Sequence, residues 1–149
     1  MIISLPIHGP NRDPLIDLSD RHLKHTFVGP VYSKRRMAII LFMYDRDMFC
    51  LPLYTYGGTG LIKKQDYIHE FASVMNVGDQ NFVNKGNYDP IPVKCGRPLD
   101  ANTSVHLAGG LTVNYCEDTK IVGEIAQPVH DSLLHLWLRL ATAAQTERW

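Results

Sequence analysis

Two tyrosines directly before a run of glycines are the residues of this chain best suited to chemistry. Residues 50–60 read CLPLYTYGGTG, so an apolar strand carrying Tyr54 and Tyr56 runs into three glycines within four positions. Tyrosine hydroxyls can donate hydrogen bonds to a substrate carbonyl. Glycine permits positive φ angles and a close approach of the backbone. A sharp corner of a barrel and a bound ligand both require that geometry, and the pattern leaves both interpretations open.

A cofactor-free pocket is the site that these residues favour. Strand alternation places Cys50, Pro52, Tyr54 and Tyr56 on one face. Tyrosine, histidine and apolar side chains at a barrel mouth suit a hydrophobic molecule that receives a few hydrogen bonds. Each tyrosine taken singly is equally well explained as a core residue with a satisfied hydroxyl. We predict catalytic roles for Tyr54, Tyr56, His69 and Arg36, and substrate contacts from Cys50, Thr55, Gly57, Gly58, His106 and Tyr115.

Other chemistries find little support in the pattern. His22 and His25 are two histidines with no further histidine or cysteine near them in the sequence. No spacing typical of a zinc site or a metalloprotease is present. Cys50 lies on an apolar strand, where a free cysteine usually serves as a small buried hydrophobe. The glycines lack the lysine of a phosphate-binding loop and the following helix of a dinucleotide fold. We therefore expect no metal and no cofactor.

Composition and charge limit the classes of partner. The 149 residues contain 15 basic and 15 acidic side chains, so a nucleic-acid or anionic membrane partner is not expected. The beginning of the chain has no charged and apolar pattern of a signal peptide, and the longest apolar run is too short to span a membrane. Three widely spaced cysteines are typical of reduced thiols. We expect a cytoplasmic protein with a hydrophobic small-molecule substrate, and a homodimer is compatible with this interpretation.

The elements that must position these residues are mainly strands. We expect a single domain over 1–149, in which 1–30 form an irregular, proline-containing arm, 31–126 a β-rich core and 128–146 the only helix. The clearest strands are 37–44 and 49–56, which lie at hairpin distance. Many strands followed by one helix indicate an α+β fold, mainly β: a curved antiparallel sheet or small open β-barrel with one C-terminal helix.

The remaining segments are predicted from shorter patterns. Residues 26–32 read as a first strand, 67–75 more weakly as another, and 76–90 as one long loop. Residues 91–95 read as an edge strand because Pro92 cannot donate to a ladder. Three further strands complete the set, at 105–107, 111–116 and 120–125. An apolar stripe should pack the helix on the sheet through Val129, Leu133, Leu136, Trp137, Leu140 and Ala144.

Several of these motifs together resemble a family. The order Arg35–Ile40, then CLPL, then TYGG followed by Thr59-Gly60, is similar to an uncharacterised domain family of filamentous fungi. Leu99-Asp100 with Ser104, and the segment VGEI at 122–125, resemble its later elements, so the similarity covers about residues 26–140. Two polar segments of the family are replaced here, by His69-Glu70-Phe71-Ala72 and by residues 114–117. The resemblance implies a small β-rich domain.

Two functions of different classes follow. The first is a cofactor-independent enzyme of fungal natural-product biosynthesis that catalyses a cyclisation, a pericyclic (Diels–Alder-type) step or an isomerisation on a hydrophobic intermediate. Holding a flexible substrate in a reactive conformation can supply much of the rate enhancement for such reactions. The second is a non-catalytic module that binds a protein or a ligand at a sheet edge or at the glycine turn. The size of the domain and its unremarkable surface composition favour the enzyme.

Overall fold

The structure, a computed structural model, describes residues 1–10, 19–27 and 29–146. It contains nine strands and one α-helix, α1, which spans Gln127–Thr146. The strands in chain order are β1 Ile2–Pro10, β2 Leu23–Thr26, β3 Gly29–Met43, β4 Asp47–Tyr54, β5 Phe71–Asn76, β6 Ile91–Cys95, β7 Ser104–His106, β8 Leu111–Asn114 and β9 Lys120–Glu124.

Seven of the strands close into a barrel. Around the ring the order is β3-β1-β9-β6-β5-β7-β4, and β4 pairs back with β3; β2 and β8 extend the sheet from β3 and β4. All pairings are antiparallel except that of β5 with β6. The prediction of a mainly β fold with one C-terminal helix is confirmed, and the barrel is closed and mixed in strand direction.

The predicted strands 37–44 and 49–56 form the hairpin of β3 and β4. This prediction is confirmed, and the first strand is longer than expected. Its register pairs Ala38 with Pro52 and Ile40 with Cys50, and then shifts by one residue at a bulge before Phe42. Apolar β-branched and aromatic residues on both strands favour this pairing. The extra residue lets Leu41 and the next side chain, Phe42, both pack against the barrel interior.

The predicted irregular arm over 1–30 is wrong over residues 2–10, which form barrel strand β1, and over residues 23–26, which form β2. Strand β1 pairs with β3 along its whole length but with β9 only over Ile2–Ser4. Beyond Ser4 none of the described residues pairs with this edge of β1, and such an edge tolerates residues such as Pro6 that have no amide hydrogen. Residues 11–18 of the predicted arm lie outside the described residues.

The predicted edge position of β6 is also wrong, because this strand pairs with β5 on one side and β9 on the other. The carbonyl of Val93 accepts a hydrogen bond from Val77 N on the β5 side. Pro92, one position earlier, therefore faces the β9 side, where pairing involves only Lys94 and Cys95. A strand between two neighbours can carry proline where the ladder has already ended.

Other boundaries differ from expectation in detail. The predicted strand 26–32 is a β2–β3 hairpin whose register pairs Thr26 with Gly29, and Val28 within it lies outside the described residues. The predicted strand 67–75 begins as the end of a 3-10 helical segment, Ile62–Glu70, and becomes β5 at Phe71. The long loop between Asn76 and Ile91 is confirmed. Within the described part of the chain, no helix is both long and apolar enough to cross a membrane.

The barrel interior is the main core, and α1 packs against it. Leu133 is buried within the interior cluster, and the predicted stripe residues Leu136, Trp137 and Leu140 pack on that cluster. The helix contacts both β3 and β6, which β1 and β9 separate in the ring, so α1 crosses an opening of the barrel. Burial of this stripe is what holds an amphipathic helix on a sheet.

A second cluster lies on the outer face of β1, β3, β4 and β8. It contains seven buried side chains, Ile3, Leu5, Ala38, Ile40, Met48, Cys50 and Val113. Alternation along β4 thus separates Leu51 and Leu53, which face the interior, from Cys50 on the outer face. This division decides where the predicted site residues lie.

Candidate functional site

A cavity of about 480 Å³ lies between α1 and the barrel, and we call it the helix–barrel pocket. Its volume falls within the roughly 300–1,000 Å³ of typical small-molecule sites. Most of its wall is apolar, and two ionisable side chains lie at one end. It is lined by Phe49, His69, Glu70, Leu107, Ala108, Gly110, Trp137, Leu140, Ala141, Ala143 and Ala144.

Two aromatic rings of the apolar wall, Phe49 and Trp137, pack against each other and against a third ring, Phe42. Phe42 and Phe49, opposite each other across the β3–β4 hairpin, stack with centroids 4.8 Å apart and planes at 6°. The Trp137 ring packs 5.5 Å from Phe42 and 5.2 Å from Phe49 at steep angles. Aromatic pairs in stacked and edge-on arrangements are favourable beyond their buried area. The wall is therefore a fixed surface and not a set of independently mobile side chains.

The carboxylate at the polar end of the pocket, Glu70, is paired with a histidine outside the lining, His106. Glu70 Oε2 lies 3.3 Å from His106 Nε2, and the side chains are 37% and 26% exposed. Because the carboxylate can only accept, the histidine nitrogen donates in this contact. The antiparallel pairing of β5 with β7 sets the geometry, since Phe71 is opposite His106 and Leu107 N donates to the carbonyl of Glu70 at 2.8 Å.

Packing fixes the orientation of the histidine. Its ring stacks on Phe71 with centroids 4.6 Å apart and planes at 12°. On another side Gly109 passes so close that a Cβ there would lie 2.1 Å from His106 Nδ1. Tyr88 OH also donates to the carbonyl of His69 at 2.8 Å, next to the glutamate in sequence. The carboxylate thus stands on a backbone held from two sides, next to a histidine that cannot turn freely.

The predicted catalytic residues Tyr54, Tyr56 and Arg36 come together, but elsewhere. The two tyrosine rings stack at 5.2 Å, and the guanidinium carbon of Arg36 lies 4.7 Å from the centroid of Tyr54. Burial is the main reason that the pKa of the Tyr56 hydroxyl is raised well above its ordinary value, so this hydroxyl keeps its proton. His106 connects this group to the other site, since its ring centroid lies 6.3 Å from that of Tyr54.

A smaller cavity of about 360 Å³ accompanies this tyrosine group, and we call it the barrel-rim pocket. Arg36, Tyr54 and Thr55 line it, together with Lys34 and Arg35. The predicted site residues are therefore divided. His69 lines the helix–barrel pocket, whereas Arg36, Tyr54 and Thr55 line the barrel-rim pocket.

Two predicted residues, Cys50 and Tyr115, lie apart from both cavities. Cys50 is fully buried in the outer cluster, and burial raises the pKa of its thiol to about 11. Tyr115 is 40% exposed and donates to the carbonyl of Tyr44 at 2.7 Å, at the turn end of the β3–β4 hairpin. A thiol with a raised pKa is a poor nucleophile at neutral pH.

The glycines after Tyr56 form a tight turn. Gly57 and Gly58 have φ angles of 68° and 84°, and Tyr56 itself has a positive φ of 49°. A Cβ on either glycine would meet no atom within 4 Å, so the positive φ and not a close neighbour accounts for these glycines. Gly60, with φ 58°, instead lies close against Asn102.

Sequence reasoning missed Glu70, Phe49 and Trp137 as a group. Glu70 stood out only as a departure from the fungal pattern, and Trp137 only as part of the helix stripe. The unused signal was the pair Gly109-Gly110, because a Cβ on Gly110 would lie 2.0 Å from Phe49 Cζ. These two adjacent glycines lie at the edge of the pocket, where the rings of His106 and Phe49 leave no room for a Cβ.

Metal ligation and similarity to other proteins add no further assignment. Among the residues that the structure describes, no three His, Cys, Asp or Glu side chains are grouped so that they could hold a metal ion. Comparison of the chain with protein-family models, with curated proteins and with solved structures finds no match in any of the three.

Proposed function

We propose that the helix–barrel pocket binds a hydrophobic small molecule and that Glu70 moves a proton from one carbon of this molecule to another. The protein would then be a cofactor-independent isomerase or cyclase. The observation that carries the proposal is that Glu70, which is paired with His106, lines a mostly apolar cavity. An intermediate of fungal natural-product biosynthesis, the substrate class expected from the sequence, is compatible with this apolar lining. Among the reaction classes expected from the sequence, a carboxylate in this position favours those that begin with removal of a proton.

The apolar wall supports binding of a hydrophobic substrate. Phe49, Leu107, Trp137 and Leu140 offer a continuous surface, and burial of apolar area on both partners contributes roughly 25 cal/mol per Å². A rigid aromatic wall loses little conformational entropy on binding. Such a wall selects ligands by shape and leaves the polar end of the pocket to fix their orientation.

The polar end supports proton transfer. The Glu70 carboxylate would take a proton from a carbon next to a carbonyl and return it to a second carbon, so that a double bond moves and no oxidant is needed. His106 holds the carboxylate by the 3.3 Å contact, and His69 offers a hydrogen-bond donor for the carbonyl oxygen at the same end. General acid–base catalysis of this kind contributes typically 10²–10⁴-fold.

Binding and turnover are tested with two probes. The neutral dye N-phenyl-1-naphthylamine reports an apolar site by its fluorescence, and 3-cyclohexenone reports proton transfer when it becomes the conjugated ketone, followed by ultraviolet absorbance. We expect Glu70→Gln to retain dye binding and to lose about 100-fold or more in isomerisation rate. Glu117→Gln, which changes an exposed turn residue in the same way, should leave both properties unchanged.

A pocket-filling variant separates this cavity from other apolar surfaces. Ala144→Leu adds bulk at the pocket lining on a helix that accepts leucine well. It should abolish dye binding, whereas Thr142→Leu, exposed on the same helix and not part of the lining, should preserve it. Dye binding that survives Ala144→Leu would contradict the pocket assignment, and full isomerisation by Glu70→Gln would contradict the role of the carboxylate.

The alternative of a non-catalytic ligand-binding module rests on one observation. The polar end of the pocket is open, since His69 and Ala108 are exposed and Glu70 is 37% exposed, whereas proton transfer gains most from a site that excludes water. Dye binding without isomerisation of any small enone would favour this second function.

A further inference from the structure

The barrel-rim pocket concentrates positive charge in a chain whose net charge is zero. Three consecutive cationic residues of β3, Lys34, Arg35 and Arg36, line it, and none of the carboxylates that the structure describes does. Thr55 and Thr103 add two hydroxyl-bearing side chains to the wall. An excess of one charge in a concave site raises the local concentration of ions of opposite sign.

One of the three cations is already neutralised. Arg35 Nη1 lies 2.5 Å from Asp118 Oδ2, and its Nη2 donates to the carbonyls of Ser4 and Asp118 at 3.1 and 3.0 Å. These contacts tie β3 to the turn before β9. Arg35 therefore stabilises the barrel wall, and its charge is not available to bind a ligand.

Arg36 differs from its neighbour. Within residues 1–10, 19–27 and 29–146, its guanidinium forms no ion pair or hydrogen bond, and its contact is with the face of the Tyr54 ring at 4.7 Å. A cation–π contact holds the guanidinium through its flat face and leaves the N–H groups at its edge free to donate. Tyr54 in turn is held by stacking on Tyr56. The side chain is thus positioned without being electrostatically satisfied.

We propose that the barrel-rim pocket binds a small oxyanion, a carboxylate or a phosphate group, through Arg36. The planar guanidinium matches both groups with two parallel hydrogen bonds. Thr55 supplies a hydroxyl that makes no cap hydrogen bond to the following turn, and Lys34 supplies a second charge at the edge. This site is separate from the helix–barrel pocket, and neither assignment depends on the other.

Calorimetric titration of the intact chain with inorganic phosphate, and separately with succinate, tests the assignment at low ionic strength. Saturable binding of either anion is expected, and the stronger of the two identifies the source of the oxyanion. Arg36→Gln should weaken that binding by about tenfold or more, because a charge-assisted bidentate contact is lost. Arg46→Gln removes the same charge at the turn of the β3–β4 hairpin, and we expect a change below about twofold there.

Circular dichroism will show whether Arg36→Gln is folded. If it is not, a second variant tests the same site. Thr55→Val removes only a hydroxyl, and we expect about threefold weaker binding or more, whereas Thr112→Val on the exposed face of β8 should have no effect. The proposal is overturned if neither phosphate nor succinate shows saturable binding to the protein. It is equally overturned if folded Arg36→Gln binds as tightly as Arg46→Gln, or if Thr55→Val binds as tightly as Thr112→Val.

Discussion

A single methyl group added at Gly110 tests the geometry of the helix–barrel pocket. A Cβ there would lie 2.0 Å from Phe49 Cζ, and 2.7 and 2.8 Å from two further carbons of the same ring. Non-bonded carbons are at their optimum at about 3.5–4.0 Å, so the ring must retreat by about 1.5 Å. The φ angle of Gly110 is not positive, so backbone strain makes no contribution.

The ring has little room to retreat. Phe42 stacks on Phe49 at 4.8 Å, and Trp137 packs against it at 5.2 Å. Overpacking of a well-packed site costs typically 1–3 kcal/mol, and we expect Gly110→Ala to lower the free energy of unfolding by about that amount. For a chain of this length each kcal/mol corresponds to a fall of roughly 2–4 °C in Tm.

Urea unfolding followed by circular dichroism measures the effect. Gly96→Ala is the matched control, because a Cβ there meets no atom within 4 Å and its φ is not positive; its change should stay below about 0.5 kcal/mol. Phe49→Leu should relieve the overlap, so the double variant should be more stable than additivity predicts by about 0.5–3 kcal/mol. An unchanged Gly110→Ala, or strictly additive variants, would refute the reasoning.

Two further predictions concern a buried thiol and the glycine turn. The pKa of Cys50 is raised to about 11 from an ordinary value near 9.0, so the folded chain keeps a proton that the unfolded chain loses; its contribution to stability is complete below pH 9 and disappears as the pH rises towards 11. We expect urea unfolding to show an alkaline loss of up to about 3 kcal/mol that Cys50→Ala reduces, and an identical loss in the variant would count against it. At Gly57, where φ is 68°, alanine should cost about 1 kcal/mol and lower the Tm relative to Gly96→Ala; equal melting of the two variants would show that the turn needs no glycine.

The predictable part of the fold is the part specified by local patterns. The β3–β4 hairpin follows from two apolar runs at hairpin distance, and α1 from a stripe at three- and four-residue spacing. Strand β1 was not predicted because Pro6 is typical of a strand breaker; on that side of β1 no described residue pairs beyond Ser4, so the proline interrupts none of the described ladder. Closure of the ring depends on pairs such as Ile3 with Ile121, and no local signal records which remote strands will meet.

For the candidate site, the residue types could be predicted from the sequence, but their positions relative to one another could not. Tyrosine, histidine and arginine donors were identified, but alternation along β4 places Tyr54 on the outer face, away from the cavity beneath α1. Glu70 meets His106 because β5 and β7 pair, and Trp137 meets Phe49 because the helix crosses the barrel. Each of these residues is ordinary in its own segment, so only the assembled strands show what they form together.

The seam between β1 and β9 joins two strands that are made at very different times during synthesis. β1 can pair with β3 early, but its other edge has no partner until Lys120–Glu124 has left the ribosome. While the residues between β3 and β9 are being made, the nascent chain therefore carries an unpaired strand edge at apolar Ile2 and Ile3, a surface that attracts other chains. Contacts so remote in sequence also slow folding, because a long segment must close before they form. The chain is therefore most prone to aggregate in the interval before the β1–β9 seam closes.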